Sequence, residues 1–343
     1  MEHMRIAVVG GGAWGTTIAS MLAERHDTLL WAREPEVAEA VSTDHENPLF
    51  LPDVALTSSL RASTSLDEVV DHRDVVLVVV PAQHVREVAG GMRSALGPDA
   101  AVLSLTKGIE RKTLLRPTQI LAEVLSGHDP SRVGVMSGPN LAREIAAGHP
   151  AATVVAMPDE GWGRRLQSLL MSDRFRVYTS TDVVGCELGG AVKNVLAIAA
   201  GMADGLGYGW NTRSALITRG LAELTRLGVT LGGDPLTFLG LAGNGDLIAT
   251  CGSSDSRNHR VGFELGRGRG LSEILAGMTT VAEGVSSAPA VLALGVREGV
   301  EMPIAAQVGD VLSGARAPVE AVEALMHRDP TSELHDLRPS APR

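Results

Sequence analysis

The sequence predicts an α/β domain followed by an all-helical domain. Three observations support this fold class. The first 180 or so residues alternate short apolar runs with helical segments, a glycine-rich motif joins the first such pair, and beyond residue 181 the pattern indicates helices only. Alternating strands and helices are typical of a parallel sheet. Because 343 residues exceed the usual size of one domain, two domains are expected, over residues 1–181 and 182–332, with a disordered tail at 333–343.

The composition narrows the classes of function. Lys and Arg total 30 against 40 Asp and Glu, a net charge of −10, so neither nucleic acid nor an anionic membrane is an expected partner. The two cysteines, Cys186 and Cys251, lie far apart without zinc or redox spacing, so we expect no metal site and no disulfide framework. Neither a signal peptide nor an uncharged apolar run of membrane-spanning length is recognisable, which predicts a cytoplasmic protein.

The first predicted strand and helix surround a G-x-G-x-x-G motif. The strand at residues 5–10 runs directly into Gly10, Gly12 and Gly15, and a helix follows at 16–23. In this context the first glycine permits a tight turn, the second lets a pyrophosphate approach the backbone, and the third lets helix and strand pack closely. Free N–H groups of the helix then bind phosphate. The motif predicts a Rossmann-type dinucleotide-binding domain, in which Trp14 either covers the dinucleotide or packs.

The end of the second strand bears on the choice of cofactor. A strand at residues 28–32 ends at Arg33, where an NAD-selective fold usually places an acid for the ribose 2′-hydroxyl. Arginine suits a 2′-phosphate, so the sequence favours NADP over NAD. The alternative is a surface arginine that pairs with Glu34 or Glu36.

The rest of the predicted sheet brings two polar loops together. Strands are predicted at 75–80, 101–105, 133–136, 152–156 and 175–179, with helices at 66–71, 85–95, 141–147 and 160–170. Lys107 follows one strand, and Gly138 and Asn140 follow the next. Because open α/β sheets bind ligands outside the carboxyl ends of their strands, both loops are expected at one crevice. Lys107 has the alternative of being a solvated loop residue.

The helical domain is predicted to start at Asp182, a plausible N-cap. In the helix that follows, residues 185–203 are mostly small or apolar and carry one cation, Lys193. An isolated ammonium is costly to bury, so such a lysine usually finds a partner or a lower pKa. The neighbours on its face are mostly small, which leaves room for a ligand or for a closely approaching backbone. The alternative is a lysine that extends to solvent.

Several later segments carry candidate site residues. A helix is predicted at 212–227, capped by Asn211 and stopped by Gly228. Asp246 follows a glycine turn and is predicted either as a helix cap alone or as a site residue. Ser256, Arg257 and Asn258 lie in a polar loop at a helix start, which suits the binding of a phosphate; the alternative is an ordinary capped surface loop. Two further helices are predicted at 283–298 and 305–313.

Glu283 has a structural interpretation of its own. Residues 280–283 read Thr-Val-Ala-Glu, which fits a capping box at the start of the helix 283–298.

Four blocks together resemble one family, the bacterial NAD(P)-dependent glycerol-3-phosphate dehydrogenases. They are residues 10–15 with 30–33, 105–110 with 137–139, 190–195, and 256–258, and the similarity continues through 282–284 and 302–304. It therefore covers roughly residues 5–315. The first block is shared by many dinucleotide enzymes, whereas the lysine helix and the Ser-Arg-Asn loop at this separation are specific.

The resemblance implies reversible reduction of dihydroxyacetone phosphate to sn-glycerol 3-phosphate with NADP or NAD, a supply of glycerophospholipid precursors, and a homodimer as the common assembly. It implies that Lys193 exchanges the proton at the substrate C2 oxygen. The residues implied to contact substrate are Lys107, Gly138, Asn140, Asp246, Ser256, Arg257 and Asn258. Those implied to contact the dinucleotide, beside the three glycines, are Trp14, Arg33, Lys107, Ala142, Arg257, Val281 and Glu283.

Two alternatives and two departures from the family remain. A sibling dehydrogenase acting on a 3-hydroxy acid or ketopantoate shares the two-domain plan, but its substrate carries a carboxylate, whereas the loop at 256–258 favours a phosphate. A catalytically silent NADP-binding sensor is the second alternative, against which Lys193, Lys107 and Arg257 argue together. Trp210 and Phe50 replace the acid and the tyrosine more common in the family, which bears on substrate fine specificity more than on reaction class.

Overall fold

A computed structural model describes residues 3–278, 280–330 and 332–333. The chain divides into two compact units: Met1–Lys107 with Leu115–Glu187, and Gly108–Leu114 with Leu188–Arg343. We keep the names first unit and second unit for them. The sequence-based limits at residues 181 and 332 stay a prediction, and the predicted tail, apart from Glu333, lies outside the described residues.

The first unit is built on one sheet of eight strands in the order β3-β2-β1-β4-β5-β6-β7-β8. All neighbouring strands are parallel except β6 and β7, which are antiparallel. The strands are β1 (Arg5–Val9), β2 (Asp27–Trp31), β3 (Arg61–Ser63), β4 (Val75–Val78), β5 (Ala101–Ser104), β6 (Val133–Ser137), β7 (Ala151–Ala156) and β8 (Phe175–Ser180).

Helices cover both faces of this sheet. In β1, Ile6 and Val8 belong to one hydrophobic core, and Ala7 and Val9 belong to the other. Burial on both faces is why the strands of such a sheet are apolar throughout instead of alternating. The helices are α1 (Ala13–Ala23), α2 (Pro35–Thr43), α3 (Leu66–Val70), α4 (Val85–Met92), α5 (Pro117–Val124), α6 (Ala142–Ala146) and α7 (Glu160–Leu170).

The described part of the second unit contains helices and no strand. Together with the doubly covered parallel sheet, this confirms the predicted fold class. The helices are α8 (Val183–Gly205), within which the two units divide, α9 (Trp210–Thr230), α10 (Pro235–Leu239), α11 (Asp246–Gly252), α12 (Arg257–Gly266), α13 (Leu271–Ala276), α14 (Glu283–Glu298), α15 (Pro303–Leu312) and α16 (Pro318–Met326).

Helix α8 begins where the sequence predicts. The carboxylate of Asp182 accepts a hydrogen bond from the Gly185 N–H at 2.8 Å, so the residue caps the helix. Among the described helices, α8 alone is long and apolar enough to cross a membrane by length and composition, but 89% of the window that passes this test is buried inside the protein. Such burial is typical of the central helix of a folded domain.

The structure corrects the predicted limits of α9. Asn211 lies inside the helix, which starts at Trp210 after its N-cap residue Gly209, and Gly228 does not stop it. A Cβ atom at residue 228 would lie 2.0 Å from the Phe238 ring. The glycine therefore makes room for Phe238, and the helix continues to Thr230 because glycine in a helix is a modest cost when packing requires it.

Two predicted caps are also wrong. The side chain of Asp246 does not cap a helix. Asp246 is the first residue of α11, and its carboxylate accepts a hydrogen bond from Lys193. The predicted capping box at residues 280–283 does not form, because the N-cap residue of α14 is Ala282, which makes no side-chain cap. In both cases the cap sequence is present, but the N-cap lies elsewhere: one residue earlier than predicted at α11, and two residues later at α14.

Candidate active site

The glycine motif forms the turn between β1 and α1, and each glycine has its own steric reason. Gly10 has a φ of +132°, and a Cβ there would lie 2.4 Å from the Val79 carbonyl oxygen. At Gly15 a Cβ would lie 1.8 Å from the Gly10 carbonyl oxygen, so this glycine lets the helix pack on the turn. A Cβ at Gly12 would meet nothing within 4 Å. That open space, at the N-cap of α1, is where a pyrophosphate needs to approach.

The start of α1 is suited to an anion. Its N-cap residue makes no side-chain hydrogen bond, and no acidic residue lies in its first turn, so no side chain of that turn competes with a phosphate for the N–H groups. The residues fit the pyrophosphate of a dinucleotide on these grounds.

Sequence reasoning missed the residue that supports this turn. Asn47 is fully buried, and its amide Nδ2 donates to the Gly11 carbonyl oxygen and to Thr16 Oγ1, both at 2.8 Å. The available signal was an asparagine before a proline, which predicts a turn and not a buried tertiary contact.

Arg33 and Trp14, two residues implied to contact the dinucleotide, have different surroundings in the structure. Arg33 is 73% exposed and forms an ion pair with Glu34 at 2.6 Å, which is the contact foreseen by the surface-arginine alternative. Trp14 is partly buried against the core of the first unit, with its ring centroid 6.3 Å from that of Phe175. The ion pair of Arg33 does not exclude a ligand, because an exposed guanidinium exchanges partners at little cost.

Lys107 and the loop after β6 meet at the carboxyl edge of the sheet. Lys107 Nζ donates to the Gly138 carbonyl oxygen at 2.8 Å. Asn140 Nδ2 donates to Thr153 Oγ1 at 3.0 Å, while Asn140 Oδ1 is buried without a hydrogen-bond partner among the described atoms. A buried amide oxygen without a partner is costly, so this oxygen is available to accept a hydrogen bond from a ligand hydroxyl or from water. The structure therefore brings together the two loops that the sequence predicted at one crevice.

Ala142 starts helix α6, which packs on α1. Its carbonyl oxygen is the acceptor for Thr17 Oγ1 at 3.4 Å. The residue thus lies beside the helix whose first turn would bind the dinucleotide.

In the second unit, the small residues of α8 let the backbone of other segments approach closely. The sequence predicted either this or room for a ligand. A Cβ at Gly189 would lie 2.3 Å from the Ala242 carbonyl oxygen, and one at Gly201 would lie 2.0 Å from that of His259. Gly262 on the facing helix is equally close, 2.0 Å, to the Ile198 carbonyl oxygen. Glycines on both helices therefore let α12 and the turn before α11 approach α8 to backbone contact.

This close approach pairs Lys193 with Asp246. Lys193 Nζ lies 2.5 Å from Asp246 Oδ1 and 2.6 Å from Thr250 Oγ1, and the side chains of Lys193 and Asp246 are 7% and 2% exposed. The lysine does not extend to solvent, so that alternative is wrong. A buried ammonium with a carboxylate and a hydroxyl beside it is held in one orientation. Thr250 was missed; its signal was the i, i+4 spacing from Asp246 on one helix.

The Ser-Arg-Asn segment forms the N-terminus of α12. Ser256 is the N-cap, with Oγ accepting from the His259 N–H at 3.2 Å, and Arg257, the first helical residue, is exposed. Asn258 is buried and donates from Nδ2 to Asn194 Oδ1 at 2.9 Å. An exposed guanidinium at a helix N-terminus is a suitable phosphate site, because the helix dipole and the N–H donors act in the same direction.

Asn258 also connects this segment to α14. Its Oδ1 accepts from the Gly284 N–H at 2.8 Å, next to Glu283, the first residue of that helix. Val281 lies just before the helix and is 45% exposed. The structure therefore places Lys193, the segment 256–258 and the start of α14 together around the middle of α8.

The chemistry available here is acid–base chemistry on a bound anion. Within the described ranges no group of three or more His, Cys, Asp and Glu could hold a metal ion. The one thiol close to the lysine, Cys251, is not a nucleophile at neutral pH, because burial raises its pKa to about 12.

Comparison with known proteins decides the family. The model of the NAD-dependent glycerol-3-phosphate dehydrogenase N-terminus matches residues 5–162, and that of the C-terminus matches residues 182–323. The chain belongs to the NAD-dependent glycerol-3-phosphate dehydrogenase family. The identification made from four sequence blocks is thereby confirmed.

Relatives within this family match along almost the whole chain. Glycerol-3-phosphate dehydrogenase [NAD(P)+] 2 of Sphingopyxis alaskensis is 50% identical over 97% of this chain and 99% of its own. Glycerol-3-phosphate dehydrogenase [NAD(P)+] of Streptomyces griseus is 49% identical over 97% and 99%. The crystal structure of glycerol-3-phosphate dehydrogenase from Coxiella burnetii has a TM-score of 0.90 at 36% identity, over 95% and 99%.

Proposed function

We propose that this protein is an NAD(P)-dependent dehydrogenase that reversibly reduces dihydroxyacetone phosphate to sn-glycerol 3-phosphate. The observation that carries the proposal is the buried Lys193, held by Asp246 and Thr250 in a family whose members carry this activity in their names. The ketopantoate-type and silent-sensor alternatives are not favoured, because the relatives that match along almost the whole chain are named glycerol-3-phosphate dehydrogenases.

The first unit supplies the cofactor site in this proposal. The N-terminus of α1 binds the pyrophosphate, Gly12 leaves it room, and Arg33 and the start of α6 at Ala142 contact the nucleotide beyond it. The bound nicotinamide supplies or accepts a hydride at the substrate C2 carbon. NADP is the favoured form, because Arg33 offers a guanidinium to a 2′-phosphate.

The second unit supplies the proton and the anion site. As hydride reaches C2, negative charge develops on its oxygen, and a positioned acid that donates a proton there lowers the barrier. Lys193 is that acid, and it accepts the proton in the reverse direction. Asp246 offsets the cost of burying the ammonium, and the hydroxyl of Thr250 fixes its direction.

Substrate binding relies on the phosphate. Arg257 and the N-terminus of α12, with Ser256 and Asn258, bind the phosphate, while Lys107, Gly138 and Asn140 contact the glycerol portion. Binding energy from this non-reacting group positions the carbonyl for transfer. Val281 and Glu283 complete the proposed contacts with the dinucleotide.

We also propose a cytoplasmic enzyme that supplies glycerophospholipid precursors and forms a homodimer. The cytoplasmic location and the supply of precursors rest on the function proposed above. The net charge of −10 also gives no attraction to anionic membranes. The homodimer rests on the family resemblance alone.

The test is substrate discrimination by the purified protein. Oxidation of NADPH and NADH is followed with dihydroxyacetone phosphate, with dihydroxyacetone and with ketopantoate. We expect turnover with the first only, since the other two lack the phosphate that the site binds. Turnover with ketopantoate in place of dihydroxyacetone phosphate, or cofactor binding without turnover of any of the three, would overturn the proposal.

A further inference from the structure

The last turn of α8 holds a partly buried ionic cluster outside the proposed active-site residues. Asp204 lies there with its side chain 10% exposed. Its carboxylate accepts from Arg213 on α9, with Nε 3.1 Å from Oδ1 and Nη2 bonded to Oδ2. The same Oδ2 lies 2.7 Å from Nε2 of His259 on α12. One carboxylate therefore joins three helices.

His259 occupies a specific position in the phosphate segment. It directly follows Asn258, and its N–H is the group that the Ser256 hydroxyl caps at 3.2 Å. Its carbonyl oxygen lies against Gly201 of α8. The ring and the backbone of one residue thus fix the first turn of α12, the turn that also carries Arg257, to the helix that carries Lys193.

We infer that Asp204 is a positioning residue for substrate phosphate, acting through His259. The inference rests on the function proposed above and deepens it. A carboxylate that receives hydrogen bonds from a guanidinium and an imidazole has little freedom to move. It sets the direction of the His259 ring and with it the orientation of the N–H groups and the Arg257 side chain in the first turn of α12. A phosphate binding site that shifts by about an ångström loses much of its affinity.

On the solvent side of the cluster, Arg213 packs against Trp210. Its guanidinium lies 4.4 Å from the ring centroid of Trp210, which is 73% exposed. Stacking on this ring holds the arginine against Asp204 from the solvent side. Trp210, which stands where the family more often has an acid, therefore supports the cluster without adding a second carboxylate to it.

The experiment is a steady-state comparison of Asp204→Asn, His259→Ala, His259→Gln and the double variant D204N/H259A. We expect D204N and H259A each to raise the KM for dihydroxyacetone phosphate roughly ten-fold, with kcat within about three-fold and the KM for NADPH unchanged. The double variant is expected to match the single ones, because both remove the same contact. H259Q, whose amide reaches Asp204 as a donor, is expected to restore most of the affinity.

The control is Glu264→Gln, which removes an exposed ion pair between Glu264 on α12 and Arg269, three residues beyond the end of that helix. It is expected to leave all three constants unchanged. A purely structural role for Asp204 would lower melting temperature and active fraction while leaving the KM of the folded enzyme at the wild-type value. That outcome, or additive effects in the double variant, would overturn the inference.

A second readout separates this inference from the function on which it rests. Binding of inorganic phosphate is measured by thermal shift and calorimetry on wild type and D204N. If wild type does not reduce dihydroxyacetone phosphate but D204N still weakens phosphate binding, the proposed reaction is wrong and the role of Asp204 stands. If wild type is active and D204N binds phosphate as tightly as wild type, the role of Asp204 is wrong and the reaction stands.

Discussion

Lys193 Nζ and Asp246 Oδ1 lie 2.5 Å apart, and both side chains are almost fully buried in the second unit. Neither charge would be stable there alone, since removing one partner of a buried pair leaves an uncompensated charge. The pair therefore links the stability of this unit to the residue proposed to transfer the proton.

Asp246→Asn tests that link. We expect a loss of about 3 kcal/mol in the free energy of unfolding, because the ammonium is left without a counter-charge. We also expect a fall in kcat of roughly 100-fold, as the proton donor loses its orientation. Urea denaturation and steady-state assays check both. Asp310→Asn, at an exposed and longer ion pair with Arg316, is the matched control; an equal loss of stability in that variant would contradict the explanation.

The glycine turn predicts opposite outcomes for two neighbouring substitutions. Gly12→Ala adds its methyl group to open space, so the fold is kept, but dinucleotide affinity is expected to fall roughly ten-fold or more because the pyrophosphate approaches there. Gly15→Ala forces a methyl group against the Gly10 carbonyl oxygen and is expected to cost about 1–3 kcal/mol of stability.

Melting curves with and without NADPH distinguish the two effects. If Gly12→Ala binds NADPH as well as wild type does, the anion site at α1 is wrongly placed.

Arg33 tests cofactor choice. In the structure it pairs with Glu34, so a 2′-phosphate has to compete with that carboxylate. Arg33→Ala is expected to raise the KM for NADPH about ten-fold and to leave the KM for NADH nearly unchanged, because one charge-assisted contact is lost. Glu34→Gln, which frees the guanidinium, is expected to lower the KM for NADPH. Equal effects on both cofactors in Arg33→Ala would show that NADP is not the favoured form.

Glu223 makes the stability of the second unit depend on pH. It is buried and accepts from the N–H groups of Ile304 and Ala305 at the start of α15, at 2.7 and 3.3 Å. Burial raises its pKa from 4.5 to about 7, although both hydrogen bonds, Arg226 and Arg328 lower it. The folded protein therefore binds one more proton than the unfolded chain between these two values, and stability falls as the pH rises through this window.

The measurement compares wild type with Glu223→Gln from pH 4 to pH 8. We expect wild type to lose stability relative to the variant at up to about 1.4 kcal/mol per pH unit between pH 4.5 and 7, and no further difference to develop above that range. Glu160→Gln, at an exposed ion pair with Arg164, serves as the control with no such slope. Parallel stability curves for wild type and Glu223→Gln would contradict this role.

The sequence predicts the sheet well because its signals are local. The glycine motif and the apolar runs of β4 and β5 lie within a few residues of the features that they report. Helices α2, α5, α10, α13 and α16 and the short strand β3 were not predicted, since each spans nine residues or fewer and an apolar period has little length in which to show. Their formation depends on packing against residues distant in sequence.

In the candidate site, too, some residues can be identified from sequence and others cannot. Lys193 is identifiable from sequence, because a single cation in an apolar helix is unusual wherever it folds. Its partners Asp246 and Thr250 lie more than fifty residues away along the chain, and the turn before α11 reaches α8 only because Gly189 lets backbone approach backbone. No local pattern reports the contact with Lys193, which is why Asp246 had a helix cap as its alternative. The spacing that relates Thr250 to Asp246 becomes informative only once Asp246 is known to lie in the site.

The central claim is that Lys193 transfers the proton to and from the substrate oxygen. Its most direct test is single-turnover reduction of dihydroxyacetone phosphate by Lys193→Met, which keeps the length of the side chain but removes the charge, with NADPH affinity measured on the same sample. We predict that hydride transfer falls by roughly 100- to 10,000-fold while NADPH affinity stays within a few-fold of wild type. Hydride transfer within ten-fold of wild type, in a folded variant that binds NADPH normally, would contradict the account.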